Sequence, residues 1–157
     1  MKTKIFNHVA IVLLLLGSFS SCTERSENDF SEPIEIPITE YSLNETGSWW
    51  TNAEPQKVIV INNSKELKKY LACTEGNCTY HSIDFSKNTL LLVSGQASAN
   101  IIDIQTKLIK RADYEFYVDA YVGVWGVAPV WHIAVLSPQK IKNNVKLNQK
   151  QIDFIER

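Results

Sequence analysis

"NTLLLVSGQASANIIDIQTKLIK", residues 88 to 110, changes its hydrophobic rhythm halfway along, and that change decides the fold. From Asn88 to Gly95 the apolar run is continuous and bounded by turn residues, which predicts a central strand buried on both faces. A turn of small residues, "GQASAN", follows. Beyond it Ile102, Ile104, Thr106 and Leu108 alternate with Asp103, Gln105 and Lys107, the pattern of a half-buried strand.

Working outward, Arg111 to Asp113 make a turn and "YEFYVDAYV" repeats the alternation. It points Phe116, Val118, Ala120 and Val122 inward and Glu115, Tyr117, Asp119 and Tyr121 outward. "GVWGVAPV" reads as a loop, and "WHIAVLS" as a strand with Trp131, Ile133 and Val135 on one face. Upstream, "KVIVINN" from Lys57 is β-branched and ends in an asparagine pair, so it reads as a strand. "SKELKKYLA" predicts a helix capped by Ser64, with Glu66 in its first turn and Leu67, Tyr70 and Leu71 on one face. Lys68 and Lys69 suit its C-terminal end through the helix dipole. The tail from Asn143 to Arg157 is weaker, and Ile152, Phe154 and Ile155 suggest a last short strand or turn of helix. These elements predict an α+β fold: an antiparallel, strongly bent sheet, or a partly closed barrel, with one short helix packed on it.

The N-terminus carries a different message. Lys2 and Lys4, an apolar stretch from Val9 to Leu16 and a small-residue exit follow the grammar of a secretory signal over residues 1 to 21. The apolar run is too short to span a bilayer, which takes about 20 such residues. Phe19-Ser20-Ser21-Cys22 resembles the lipobox of bacterial lipoproteins, although Phe19 stands where Leu or Val is usual. A thiol is the nucleophile such a site needs to accept a diacylglycerol, so Cys22 is expected to become a lipidated N-terminus. Two or more acyl chains hold a protein at a membrane where one does not.

Glu24, Glu27, Asp29, Glu32, Glu35 and Glu40 follow, against the single base Arg25. This acidic run predicts a flexible tether over residues 22 to 45, and it also resembles the export signal of surface lipoproteins in the Bacteroidetes. A solvated, self-repelling linker explains the same charges. Residues 46 to 157 are then one small domain of about 110 residues. The whole chain has a net charge of −1 and no basic stripe, so nucleic acid is a poor partner.

The run "SIDFSKNTLLLVSGQASANIIDI", with the alternating strand and "VWHIAVL" behind it, resembles a known domain type. It is similar to the C-terminal domain of the small accessory subunit of a spirochaete surface protease complex, the PrcB type, and to domains of Bacteroidetes lipoproteins. The likeness covers about residues 57 to 137. Gly95 fits the start of that family's glycine-rich turn, while Ala97, Ser98 and Ala99 stand where glycines are usual. The resemblance implies a non-enzymatic domain that binds or stabilises a partner.

"CTEGNCTYHSID" holds the remaining two cysteines, Cys73 and Cys78. With Cys22 lipidated they pair without remainder, and an exported chain meets an oxidising compartment, so a local disulfide is expected. The alternatives are a pair of free thiols or a zinc site that adds His81 and either Asp84 or His132. Zinc is the weaker choice, because the cysteine spacing lies at the edge of the usual range and no second CxxC exists. No G-x-S-x-G or H-E-x-x-H motif and no convincing Ser/His/Asp order occurs. No enzyme, catalytic residue, cofactor or metal is therefore expected, with His132 read as a surface imidazole and the His81–Asp84 pair as a solvated loop.

Trp131 alternates with core residues, and Trp49 and Trp50 at the domain's start are expected to fold back and seal a sheet edge. Trp125 lies in a loop between Gly123 and Gly126, where a large ring is hard to bury, and Trp is enriched at binding hot spots. Val124, Trp125 and Val127, with Gln96, Ser98 and Asn100 of the small-residue turn, are the expected partner-binding residues. The partners expected are the membrane, through Cys22, and another envelope protein. A surface glycan stacking on the tryptophans, Tyr117 and Tyr121 is the second class, and a loop-based protease inhibitor the third. The expected location is the outer membrane or cell surface.

Overall fold

A computed structural model describes residues 32–153 except 75, 77 and 143. Cys22, the signal, the first part of the expected tether and Phe154 and Ile155 lie outside the described residues. In chain order the elements are β1 (Ile34–Ile36), β2 (Thr39–Glu40), β3 (Ser48–Trp50), β4 (Ile59–Ile61) and α1 (Ser64–Leu67). A single 3₁₀ turn (Lys68–Tyr70) extends the helix into β5 (Leu71–Cys73). The long strands follow: β6 (Thr89–Gln96), β7 (Ile101–Lys110), β8 (Tyr114–Val122), β9 (Val130–Ser137) and β10 (Val145–Asp153).

The fold is α+β and mostly antiparallel, as the sequence predicts, but neither main sheet closes into a barrel. One sheet has the order β1-β7-β8-β10 and the other β2-β9-β6-β4, while β3 and β5 form a separate pair. The first sheet packs on one face of the second around Leu91, Val93, Leu108, Phe116, Val118, Trp131 and Val135. The opposite face of the second sheet is covered by α1 and the β3–β5 pair around Ile61, Leu67, Leu71, Leu90, Leu92 and Ala134. This layering explains the change of rhythm between residues 88 and 110. β6 lies in the middle layer and is apolar on both faces, whereas β8 buries only Phe116, Val118, Ala120 and Val122.

Four expectations are corrected. First, the tether does not reach Glu45. Ile34–Ile36 pairs with β7, Thr39–Glu40 pairs with β9, and Ile36, Tyr41 and Leu43 are buried. The acidic residues there are exposed, and the apolar ones between them supply the burial that a disordered run lacks. Second, the helix cap is Asn63, whose side chain accepts from the Glu66 N–H at 2.9 Å. The helix is also shorter than expected: Ser64 is its first residue, and Leu71 and Ala72 belong to β5, where pairing with β3 outweighs one more helical turn.

Third, Ile102 faces solvent, because the β7–β8 register shifts between Ile101 and Asp103 and Ile101 takes its place against the core. Fourth, the tail is a full strand, and β10 pairs in parallel with β8 from Val145↔Tyr114 to Asp153↔Val122. A parallel neighbour needs a crossover, and here β9 provides it by running back in the other sheet.

The asparagine pair divides its work. Asn63 caps α1, while Asn62 accepts from the Thr89 hydroxyl at 2.8 Å and donates to the Ile141 carbonyl at 2.9 Å. The Ile141 N–H in turn donates to Thr89 Oγ1 at 3.0 Å. This closed, largely buried set ties the β9–β10 connection to β4 and β6, so each polar atom taken from water keeps a partner.

Candidate functional site

The β6–β7 turn and the β8–β9 loop lie against each other at one end of the sheets. Gly123 N–H donates to the Asn100 carbonyl at 2.8 Å, and Ala97 N–H donates to the Pro129 carbonyl at 3.0 Å. The Asn100 side chain sits under the β8–β9 loop, so a methyl at Gly123 would come within 3.1 Å of Asn100 Cγ. Gly126 has φ +125°, a conformation L side chains rarely adopt. Two glycines and one asparagine thus set the path that lifts the loop away from the core.

On that loop Trp125 is 84% exposed, Val127 85% and Val124 67%. Val130, which the sequence reading passed over, is 65% exposed beside them. Large exposed side chains that cluster without charge mark a binding surface more often than scattered single ones do. The turn contributes less free surface than expected. Gln96 and Ser98 are exposed, but the Gln151 amide donates to the Gln96 carbonyl at 2.9 Å and accepts from the Ser98 N–H at 3.1 Å. β10 therefore latches the turn, and Asn100 is engaged in holding the neighbouring loop. The only signal for Gln151 lay in the tail, where its polar neighbours hide the strand.

Trp49 and Trp50 do not seal an edge of a main sheet; they form β3 and pair with Ala72 and Leu71 of β5. Trp50 packs toward Tyr41, with ring centroids 6.1 Å apart. Trp49 is 50% exposed and forms one wall of a groove with Tyr41, Ser42, Asn44 and His132. His132 is half-buried on β9, and desolvation holds its pKa below the ordinary 6.5, so burial favours the neutral imidazole. Tyr41 donates to the His81 carbonyl at 2.8 Å, and its pKa is pushed up to about 12, chiefly by burial.

Cys73 and Cys78 are joined in a disulfide with their Cα atoms 5.3 Å apart. The bond staples the end of β5 to the loop behind it, and it occupies both sulfurs a zinc site would need. Asp84 turns instead to its own loop, accepting from the Ser86 N–H at 3.0 Å. Its pKa is lowered first by the Ser86 hydroxyl and then by that N–H. Tyr117 donates to Glu115, and Tyr121 lies near Gln105 with an oxygen separation of 3.5 Å, so both tyrosines are oriented by their own sheet.

No protein-family model matches this chain, and no curated protein or solved structure matches it either.

Proposed function

We propose that the chain is a non-enzymatic lipoprotein of the bacterial envelope, anchored through Cys22, whose folded domain is an accessory, protein-binding module. The outer membrane or cell surface is its place, and a surface protease complex is the kind of assembly it would serve. The observation that carries the reading is the uncharged patch of Val124, Trp125, Val127 and Val130, with Trp125 84% exposed on a braced loop. A rigid aromatic on such a surface costs little entropy to immobilise and is the residue type most often found at hot spots.

The test is co-purification of the tagged full-length protein from its native envelope in mild detergent, beside Trp125→Ala. A specific protein that accompanies the wild type and is lost from the variant supports the reading. Equal recovery with both sinks it. Because Trp125 is so exposed, its removal should alter stability by no more than about 0.5 kcal/mol, which separates lost binding from lost folding.

Glycan capture is the second reading, favoured by the half-exposed Trp49 beside Tyr41, Asn44 and His132. An indole face takes the C–H face of a pyranose while the polar groups take its hydroxyls. Quenching of tryptophan fluorescence by a sugar in wild type, absent from Trp49→Ala, is its test.

A further inference from the structure

Main-chain groups along β9 alternate between its two neighbours. The Ala134 carbonyl accepts from the Tyr41 N–H at 2.8 Å, so Ala134 faces the β2 side. The same alternation holds on β6, where the Ser94 carbonyl turns away from β9 and accepts from Gln56 N–H at 3.0 Å. Ser94 and His132 are directly opposed, as are Gln96 and Val130. In an antiparallel ladder, opposed pairs alternate between those that exchange both bonds and those that send N–H and C=O outward. The outward Ser94 and Ala134 carbonyls put Ser94–His132 and Gln96–Val130 in the second set. β2 pairs only with Leu136 and Val135, and the chain leaves β9 after Tyr41. The outward groups of Val130 and His132 therefore have no strand beside them among the described residues.

The other edges of the two four-stranded sheets carry charges in or just before the strand, which discourage strand pairing. β10 has Lys146, Lys150 and Asp153, β1 has Glu35, and the short β4 is preceded by the ion-paired Lys57 and Glu54. From Val130 to Ile133, β9 carries no Lys, Arg, Asp, Glu or Pro and has no bulge. At one end this edge joins the exposed patch through Val130, and at the other it borders the groove of Tyr41, Ser42, Asn44 and Trp49.

We propose that this edge of β9 receives an extended segment of a partner protein, added as a strand in line with β2. Main-chain bonds to Val130 and His132 hold the segment, and alternate apolar side chains select it. The proposal rests on the protein-binding reading and names its mode.

Proline provides the test, because an outward N–H on an edge strand is one the ladder can lose. His132→Pro deletes the outward donor and obstructs a neighbouring strand, while His132→Ala removes only the imidazole. The full-length protein in detergent is panned against a naive library of linear peptides displayed on phage, and enriched peptides are synthesised. They should bind wild type and His132→Ala alike and bind His132→Pro about tenfold or more weakly. Main-chain N-methylation of a bound peptide at every second residue should cost about tenfold in one register and little in the other. That readout uses wild-type protein and stands even if the proline variant does not fold.

No enriched peptide, equal binding to a folded His132→Pro, or indifference to the register of methylation would overturn strand addition. So would a dimer of the full chain that His132→Pro dissociates, since the edge would then belong to a second copy. An envelope protein lost from Trp125→Ala but retained by His132→Pro leaves the patch as a binding surface and removes only the strand.

Discussion

Replacing Gly95 with alanine should destabilise this protein, although alanine is ordinarily the more favourable residue. Where the backbone tolerates it, Gly→Ala stabilises by about 0.4–1 kcal/mol through the unfolded chain. Gly95 lies on β6 directly opposite Trp131, whose buried ring covers it. A Cβ there would stand 2.6 Å from Trp131 Cε2 and 3.1 Å from Gln149 Nε2. The ring is wedged in the core between the two sheets, so it cannot swing aside as a surface side chain would. Overpacking of this kind costs about 1–3 kcal/mol, a large share of a typical total of about 5–15 kcal/mol.

Equilibrium urea unfolding reads the effect. A loss of about 2 kcal/mol at an m of about 1.5 kcal/mol/M lowers the midpoint by about 1.3 M, with m unchanged. In a Trp131→Phe background the smaller ring vacates the space, and the same alanine should become neutral or stabilising. The two substitutions should therefore couple by about 1 kcal/mol or more. A Gly95→Ala protein as stable as the wild type, or two strictly additive effects, would refute the argument that the ring forbids a side chain there.

Opening the Cys73–Cys78 disulfide, by reduction or by double replacement with serine, should cost about 2 kcal/mol, since the closed loop is short; thermal unfolding with and without reductant measures it. Tyr41→Phe strands the His81 carbonyl and should cost about 1–2 kcal/mol. Because the folded pKa of Tyr41 is about 12 against an ordinary 10.0, wild-type stability from this group is complete below pH 10 and falls between 10 and 12. Alkaline unfolding curves should lose that component in the phenylalanine variant. His132 runs the other way: its folded pKa lies below 6.5, so its contribution is complete above pH 6.5 and lost as the unfolded chain takes up a proton first. Stability measured from pH 7.5 to 5 should decline less in His132→Gln than in the wild type.

Much of the candidate surface was legible in the chain itself. Trp125 between two glycines, with no alternating partner, is a ring without a face to bury, and it stands in solvent. Val130 was missed because it reads as the last residue of the loop "GVWGVAPV", whereas it opens β9 with its side chain in solvent. Gln149 and Gln151 were missed because a strand of Asn, Gln and Lys carries almost no hydrophobic period. Its pairing comes from the backbone of β8, which no side-chain pattern announces.

What the sequence by itself determined is local: the period-two strands, the apolar run of β6, the helical turn at Ser64, and the nearness of two cysteines that the structure joins. Each follows from residues a few positions apart that share a face, a turn or a short loop. The tertiary structure decided what depends on distant neighbours. It drew Ile36, Tyr41 and Leu43 out of an acidic run into the fold, because cores on either side of β6 offered them burial. It made β10 parallel, because β9 had already crossed to the other sheet. And it left Val130 and His132 at an open edge, because β2 ends after two residues and the chain turns away.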